Sequence, residues 1–324
     1  MQYRCPPVMM CGFARPDLLN EVFSRVRDAR PEKLFLVLDA PRAGMDDDVE
    51  ANARCREIFS NVDWPCEVHR NYATENMGCR TRMESAITWV FEHVDRAIIL
   101  EDDCCPDPTF FRFCGELLEK YKDDDRVGMI GGSVENLHVD CLRRHGESYY
   151  FDRWASIWGW ATWRRAWSRH DPQMSYFPEL HDQFDVMYGF YRDWPTVRRR
   201  RKRLWNLFRR IDGAWDGAWF TTMLIQNWLC IHPYSNMVSN TGCGVSSRTS
   251  SEVLKRLFRY RSPWDRRPTV PMEFPLVHPL TMMPNVVAER HTLEDFGELH
   301  TWRWWITRFP YYCANAVLRW ILGR

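Results

Sequence analysis

Three consecutive carboxylates, Glu101, Asp102 and Asp103, follow directly on the apolar run Ala97–Leu100. A short continuous apolar run reads as a strand buried on both faces, so the acids stand at its carboxyl end. Carboxylates packed this closely repel one another and lose solvation, and a shared cation relieves both costs. Oxygen-only ligands suit a hard divalent ion, Mg²⁺ or Mn²⁺, held by a few carboxylates while a phosphate completes the shell. The plain alternative is a solvated acidic turn. Asp107 then offers a helix N-cap and Pro108 a first helical residue, so a helix follows within one short turn.

Other residues sit where they could join that chemistry. Arg15, in Gly12-Phe13-Ala14-Arg15-Pro16-Asp17, follows the run Val8–Gly12 and could reach a phosphate or a base edge. It could equally be a surface arginine in a turn. Asp39, in Asp39-Ala40-Pro41-Arg42, follows Leu34–Leu38 and could accept from a base N–H or a ribose hydroxyl, or cap a helix. Arg80 lies in Asn76-Met77-Gly78-Cys79-Arg80-Thr81-Arg82, where glycine and arginines beside a helix start make an anion site. Asp216, in Trp215-Asp216-Gly217-Ala218-Trp219, is a carboxylate between tryptophans. Partial desolvation would raise its basicity, as a general base requires. Capping of a helix that begins near Gly217 is the alternative, and the two are compatible; Asp212 is the rival base. Trp158, Trp160 and Trp215 offer flat faces on which sugar rings stack, or they are core.

The elements that would position these groups recur at a nearly constant interval. Strand candidates fall at Val8–Gly12, Leu34–Leu38, Cys66–Arg70, Ala97–Leu100 and Val127–Ile130. Between them Leu19, Val22, Phe23 and Val26 share one helical face, as do Met83, Ile87, Val90 and Val94. Phe110, Phe113, Cys114, Leu117 and Tyr121 mark a third helix. Strands alternating with helices predict βαβ units and a mainly parallel sheet, with the ligand site beyond the carboxyl ends. After Gly131-Gly132 the regularity stops. A tryptophan block (Trp154–Trp167), a basic run (Arg198–Arg210), a strand candidate at Trp228–His232 and a proline-rich, extended stretch (Pro263–Pro284) follow.

At 324 residues the chain suffices for one large α/β domain with appendages or for two small domains, and its formal charge of +1 gives no sign of nucleic-acid binding. No nucleic-acid recognition motif accompanies the basic run. The anomaly is the 17 tryptophans. Twelve cysteines without a Cys-x-x-Cys, in a chain showing no signal peptide, predict reduced thiols and a cytoplasmic protein. No apolar stretch is long enough to cross a membrane. The basic run reads as a solvated basic face, a patch for acidic headgroups or a holder for a pyrophosphate; with the arginine- and aromatic-rich segment from Thr301 it would suit the anionic inner face of a membrane, giving peripheral attachment.

Taken in order, Arg-Pro after the first strand, Asp-x-Pro-Arg after the second, Asn-x-Gly before a helix, and Leu-Glu-Asp-Asp before Pro-Asp-x-x-Phe-Phe resemble GT-A glycosyltransferases. The inverting group related to family 2 and to N-acetylglucosaminyltransferase I is the nearest in pattern. Trp158-Gly159-Trp160-Ala161-Thr162-Trp163, Trp215-Asp216 with Trp219, and Ile231-His232-Pro233 extend the resemblance over most of residues 6–245. It implies a GT-A (Rossmann-like) α/β fold and a metal-dependent inverting transfer from a UDP- or GDP-sugar to a glycan, lipid-linked or protein acceptor. Asp103 would bind Mn²⁺ or Mg²⁺. Asp102 would lie at the ribose, Asp39 at the base, and Arg15, Arg80 and Glu101 near the nucleotide. Trp158, Trp160 and Trp215 would face the acceptor, and Asp216 would be the base. Residues 1–250 would form the catalytic domain, 1–135 its nucleotide-sugar half and 136–250 its acceptor half, with 251–324 as the C-terminal extension.

Two other readings stay open. A sugar-1-phosphate nucleotidyltransferase also uses such a sheet and carboxylate-bound Mg²⁺, but needs a glycine-rich loop after the first strand, where this chain has only Gly12. A non-catalytic nucleotide-sugar-binding protein would not need both the acidic triplet and a candidate base.

Overall fold

The structure, a computed structural model, describes residues 4–134, 142–143, 145–209, 215–242 and 265–295. In chain order the elements are β1 (Val8–Gly12), α1 (Pro16–Ala29), β2 (Lys33–Leu38), α2 (Asp46–Ser60), β3 (Glu67–Tyr72), α3 (Gly78–His93), β4 (Arg96–Glu101), β5 (Cys104–Pro106), α4 (Pro108–Lys120) and β6 (Val127–Gly131). The second part adds β7 (Tyr149–Asp152), β8 (Trp160–Trp163), α5 (Arg164–Trp167), α6 (Phe177–Asp182), α7 (Phe184–Tyr191), α8 (Trp194–Phe208), α9 (Asp216–Ile225), β9 (Leu229–Pro233), β10 (Val238–Asn240) and α10 (Val286–Asp295). Every strand expected from the apolar runs is present, its ends shifted by at most two residues.

The main sheet has eight strands in the order β3-β2-β1-β4-β8-β6-β9-β7. β3, β2, β1 and β4 run parallel, β8 is antiparallel to both β4 and β6, β6 and β9 are parallel, and β7 is antiparallel to β9. The architecture is α/β with a mainly parallel sheet, in keeping with a Rossmann-like GT-A fold. Side chains alternate across each strand, so Val8 and Met10 enter one core with α1 and α4, while Met9 and Cys11 enter the other with α3. Burial on both faces explains why these strands read as unbroken apolar runs. A third core joins Phe177, Val197, Leu204 and Leu207 with Phe220 of α9 and Leu293 of α10.

Two elements escape the apolar pattern. α2 turns Asp48, Asn52, Cys55 and Phe59 inward, so half of its buried stripe is polar. β8 lies inside the tryptophan block, its four residues all buried. Of the region assigned to an extension, residues 265–295 pack on the main body. Met272 and Leu276 join the first core, and Pro284 bridges to Phe151. The segment from Thr301 and Asp212 lie outside the described residues. No described helix is long and apolar enough to cross a membrane, and no disulfide links the described cysteines.

Candidate active site

β4 ends at Glu101, whose register partner on β1 is Cys11, and Asp102 and Asp103 form the turn into β5. That turn is braced from the far end of the chain. β10 pairs with β5, and the Thr241 backbone N–H and hydroxyl donate to the Asp103 carbonyl at 2.8 and 3.2 Å. Gly242 then passes so close that a Cβ there would lie 2.1 Å from Asp103 Oδ2. On the other side the Asp107 carboxylate caps α4, accepting from the Thr109 N–H at 2.9 Å with Pro108 in the first turn, as the sequence predicts.

Arg15, immediately before α1, lays its guanidinium across two of the acids. Nε donates to Asp102 Oδ2 at 3.1 Å and Nη1 to Asp103 Oδ2 at 2.8 Å, and Nη2 meets Asp102 Oδ1. This fork makes Arg15 a clamp on the carboxylates. Although burial opposes its charge, Asp102 and Asp103 hold Arg15 firmly protonated. Burial pushes the Asp102 carboxyl up to about 6 against the pull of Arg15, with Asp103 adding to the rise. Burial also lifts Glu101, to about 8, helped by Asp103 and Asp102 and, further off, by Asp216. One arginine thus faces three clustered acids. An all-oxygen donor set with surplus negative charge, and a glycine that keeps Asp103 uncrowded, fits a hard divalent cation.

Asp216 is the first residue of α9. Its carboxylate makes no hydrogen bond to another described residue, so the capping role weighed for it is not used. Gly217 lets α9 start against α8, since a Cβ there would lie 2.3 Å from Leu207 Cδ2. The Asp216 charge adds, as a minor influence, to the rise of the Glu101 carboxyl.

The remaining rim residues are placed differently from what spacing suggests. Asp39, 5% exposed, accepts from the N–H groups of Ala40 (2.9 Å), Met77 (2.9 Å) and Gly78 (3.0 Å) and from the Asn76 amide (3.3 Å). Its oxygens therefore hold the start of α3. Arg80 is turned toward the helical layer, donating to the carbonyls of Pro172 at 2.7 Å and Leu207 at 3.4 Å and to Glu84. The anion site expected there does not form around Arg80. Arg82, 3% exposed, is the cation that faces inward, donating to the Asn71 backbone and side-chain oxygens. Burial lowers its pKa against the opposing pull of Cys11 and Asp39. Its position four residues before Ala86, on the stripe continued by Val90, could have flagged it. Asn52, also unforeseen, ties the ends of β1 and β2 through the Phe13 and Asp39 carbonyls at 2.7 and 2.8 Å.

Two of the three tryptophans proposed for an acceptor are core instead. Trp160 is 0% exposed and Trp215 3%, and their rings stack at 5.9 Å and 21° beside Trp219. A ring with both faces packed presents none to a sugar. Trp158 is only partly buried. The basic run is likewise no uniform face: Arg200 is buried, its guanidinium over the rings of Trp154 (4.8 Å) and Phe220 (5.3 Å), while Arg198, Lys202 and Arg203 are exposed.

No protein-family model and no curated protein matches this sequence. Among solved structures, the chain is similar to mouse xyloside xylosyltransferase 1 in its apo form (13% identity, 68% of this chain and 81% of that one, TM-score 0.34). It is also similar to 4-diphosphocytidyl-2C-methyl-D-erythritol synthase from Anaerococcus prevotii (11% identity, 58% and 84%, TM-score 0.30). A third is UDP-glucose pyrophosphorylase complexed with UDP-glucose (10% identity, 45% and 62%, TM-score 0.26). Resemblances this remote leave the reaction to be argued from the site.

Proposed function

We propose that this protein is a metal-dependent inverting glycosyltransferase that uses a UDP- or GDP-sugar and a glycan, lipid-linked or protein acceptor. The observation that carries this reading is the rim itself. Glu101, Asp102 and Asp103 stand at a strand's carboxyl end under a single arginine, with the unbonded Asp216 carboxylate nearby. In this reading residues 1–135 hold the donor and 136–250 meet the acceptor, while residues 265–295 pack on that body and the segment from Thr301 would face a membrane surface.

Asp103, supported by Asp102, would hold Mn²⁺ or Mg²⁺, which supplies charge neutralisation at the diphosphate of the donor. Arg15 fixes the two carboxylates in place. Asp39 positions the Asn76–Gly78 loop against the base. Asp216 takes the proton of the acceptor hydroxyl as its oxygen bonds to the anomeric carbon and the bond to the diphosphate breaks. Trp158, which is only partly buried, is the tryptophan left for the acceptor.

The nucleotidyltransferase reading has a specific observation against it. Gly12 is consumed by packing, since a Cβ there would lie 2.5 Å from Leu19 Cδ1 and 3.5 Å from Asp102 Cβ. It is not part of a glycine-rich phosphate cradle. Hydrolysis of candidate nucleotide sugars should be detectable with Mn²⁺ and lost with EDTA. Pyrophosphate release from a nucleoside triphosphate and a sugar phosphate, in place of donor hydrolysis, would overturn the proposal. Donor binding with neither reaction would favour a non-catalytic binding protein.

A further inference from the structure

A second cluster of chemical groups lies inside the sheet. β7 and β9 are antiparallel, with Asp152 opposite Cys230 and Tyr150 opposite His232. Residues two apart on a strand share a face, so Asp152, Cys230 and His232 all project to one side. They are 1%, 0% and 2% exposed, and one ligand atom from each lies within 4.8 Å of the other two. His232 Nε2 is 3.0 Å from Asp152 Oδ1 and 2.9 Å from the Trp154 carbonyl. A carbonyl oxygen only accepts, so Nε2 carries the proton and a metal would take Nδ1. Fixing of the imidazole by a backbone carbonyl or carboxylate is what metal-ligating histidines require.

The cluster taken as a plain Asp–His pair leaves a defect. Asp152 Oδ1 already accepts from the Trp154 N–H at 2.9 Å, while Oδ2 is buried without any hydrogen-bond partner. An orphaned buried acceptor costs about 1–3 kcal/mol, more when charged. Beside Nδ1 the chain places Gly131, where a Cβ would lie 3.4 Å away, so no side chain covers that nitrogen from β6. From this geometry we infer that Asp152, Cys230 and His232 form a buried transition-metal site of the zinc class, clamping β7 to β9. One sulfur, one nitrogen and one oxygen ligand select zinc over the hard cation suited to Asp103. The site is independent of the proposed transfer reaction.

The test uses the full chain, expressed with zinc in the medium and desalted before elemental analysis. About one zinc per chain is expected, lost in Cys230→Ser and Asp152→Asn and kept in Asp103→Asn. Because the first two variants alter the core, a second measurement uses the unmutated protein. Stripped of metal and titrated with Co²⁺, it should develop a thiolate-to-cobalt charge-transfer band, which carboxylates alone cannot produce. Absence of both zinc and that band would overturn the site. So would zinc that stays in Cys230→Ser and leaves in Asp103→Asn.

Discussion

The rim at the ends of β1 and β4 and the layer beneath β7, β8 and β9 are built from similar polar and aromatic residues with opposite fates. At the rim Arg15 faces three acids, so negative charge is left over, and Asp216 makes no hydrogen bond to another described residue. In the inner layer Asp152 meets His232, Arg153 meets Glu289 at 2.6 Å, and Trp160, Trp215 and Trp219 pack on one another. The difference is between negative charge in excess at the rim and polar groups enclosed within the core. Substitutions at the rim should therefore change binding and turnover, and substitutions in the layer should change stability.

The largest effect expected is at Asp216. Asp216→Asn should lower transfer by about 10²- to 10⁴-fold at unchanged donor Kd and melting temperature, the signature of a lost general base. Near-normal turnover in a steady-state assay would remove Asp216 from the rim's chemistry and point to Asp212.

On the other side of the comparison, Trp160→Ala should cost about 3–5 kcal/mol in chemical denaturation, as for other buried aromatic truncations. Trp158→Ala should cost about 1 kcal/mol and instead raise the acceptor KM. A Trp160→Ala protein of native stability but impaired acceptor binding would break the distinction between rim and layer.

Gly242→Ala sharpens it from the rim side. The added methyl meets Asp103 Oδ2 and must displace it, at about 1–3 kcal/mol of crowding. Mn²⁺-dependent nucleotide binding, followed by calorimetry, should weaken toward that of Asp103→Asn while the circular dichroism spectrum is retained. Unchanged metal-dependent binding in Asp103→Asn would sink the metal assignment.

A smaller effect is the pH dependence of the metal-free protein. The unfolded chain ionises Glu101 near 4.5 and the folded one near 8, with Asp102 at about 6 in the folded state. Between those values the folded state binds more protons, so the stability these two carboxyls contribute is fully present below their unfolded values and is lost as pH rises toward 8. Thermal melts in EDTA should show that decline, and Mn²⁺ or Glu101→Gln should flatten it. The mildest test replaces Arg198, Lys202 and Arg203 by Glu. Each exposed cation is worth about 1 kcal/mol at an anionic bilayer, so liposome sedimentation at low salt should fall while donor hydrolysis stays.

The sequence was most legible where structure is local. An apolar run followed by three acids and Asp107-Pro108 contains its own strand, turn and helix cap, and the structure builds all three. Period and composition were silent on α2, because Asp48 and Asn52 hold places on its buried stripe where the pattern looks for apolar residues. Arg80 and Arg82 are equally spaced candidates on paper. Rotation of α3 against β1 decides that Arg82 turns inward and Arg80 toward α8.

By itself, then, the sequence determined the βαβ order, the strands of the parallel half and the acidic turn at their end, because each depends on neighbours a few residues away. The tertiary structure decided which charged groups stay free and which are used up. Asp39 is saturated by the start of α3, and Arg15 is drawn onto Asp102 and Asp103. Trp160 is enclosed because β8 enters antiparallel between β4 and β6, and Asp152 meets Cys230 and His232 only because β7 pairs with β9. Burial and pairing are properties of strands brought together across the fold, and no local spacing encodes them.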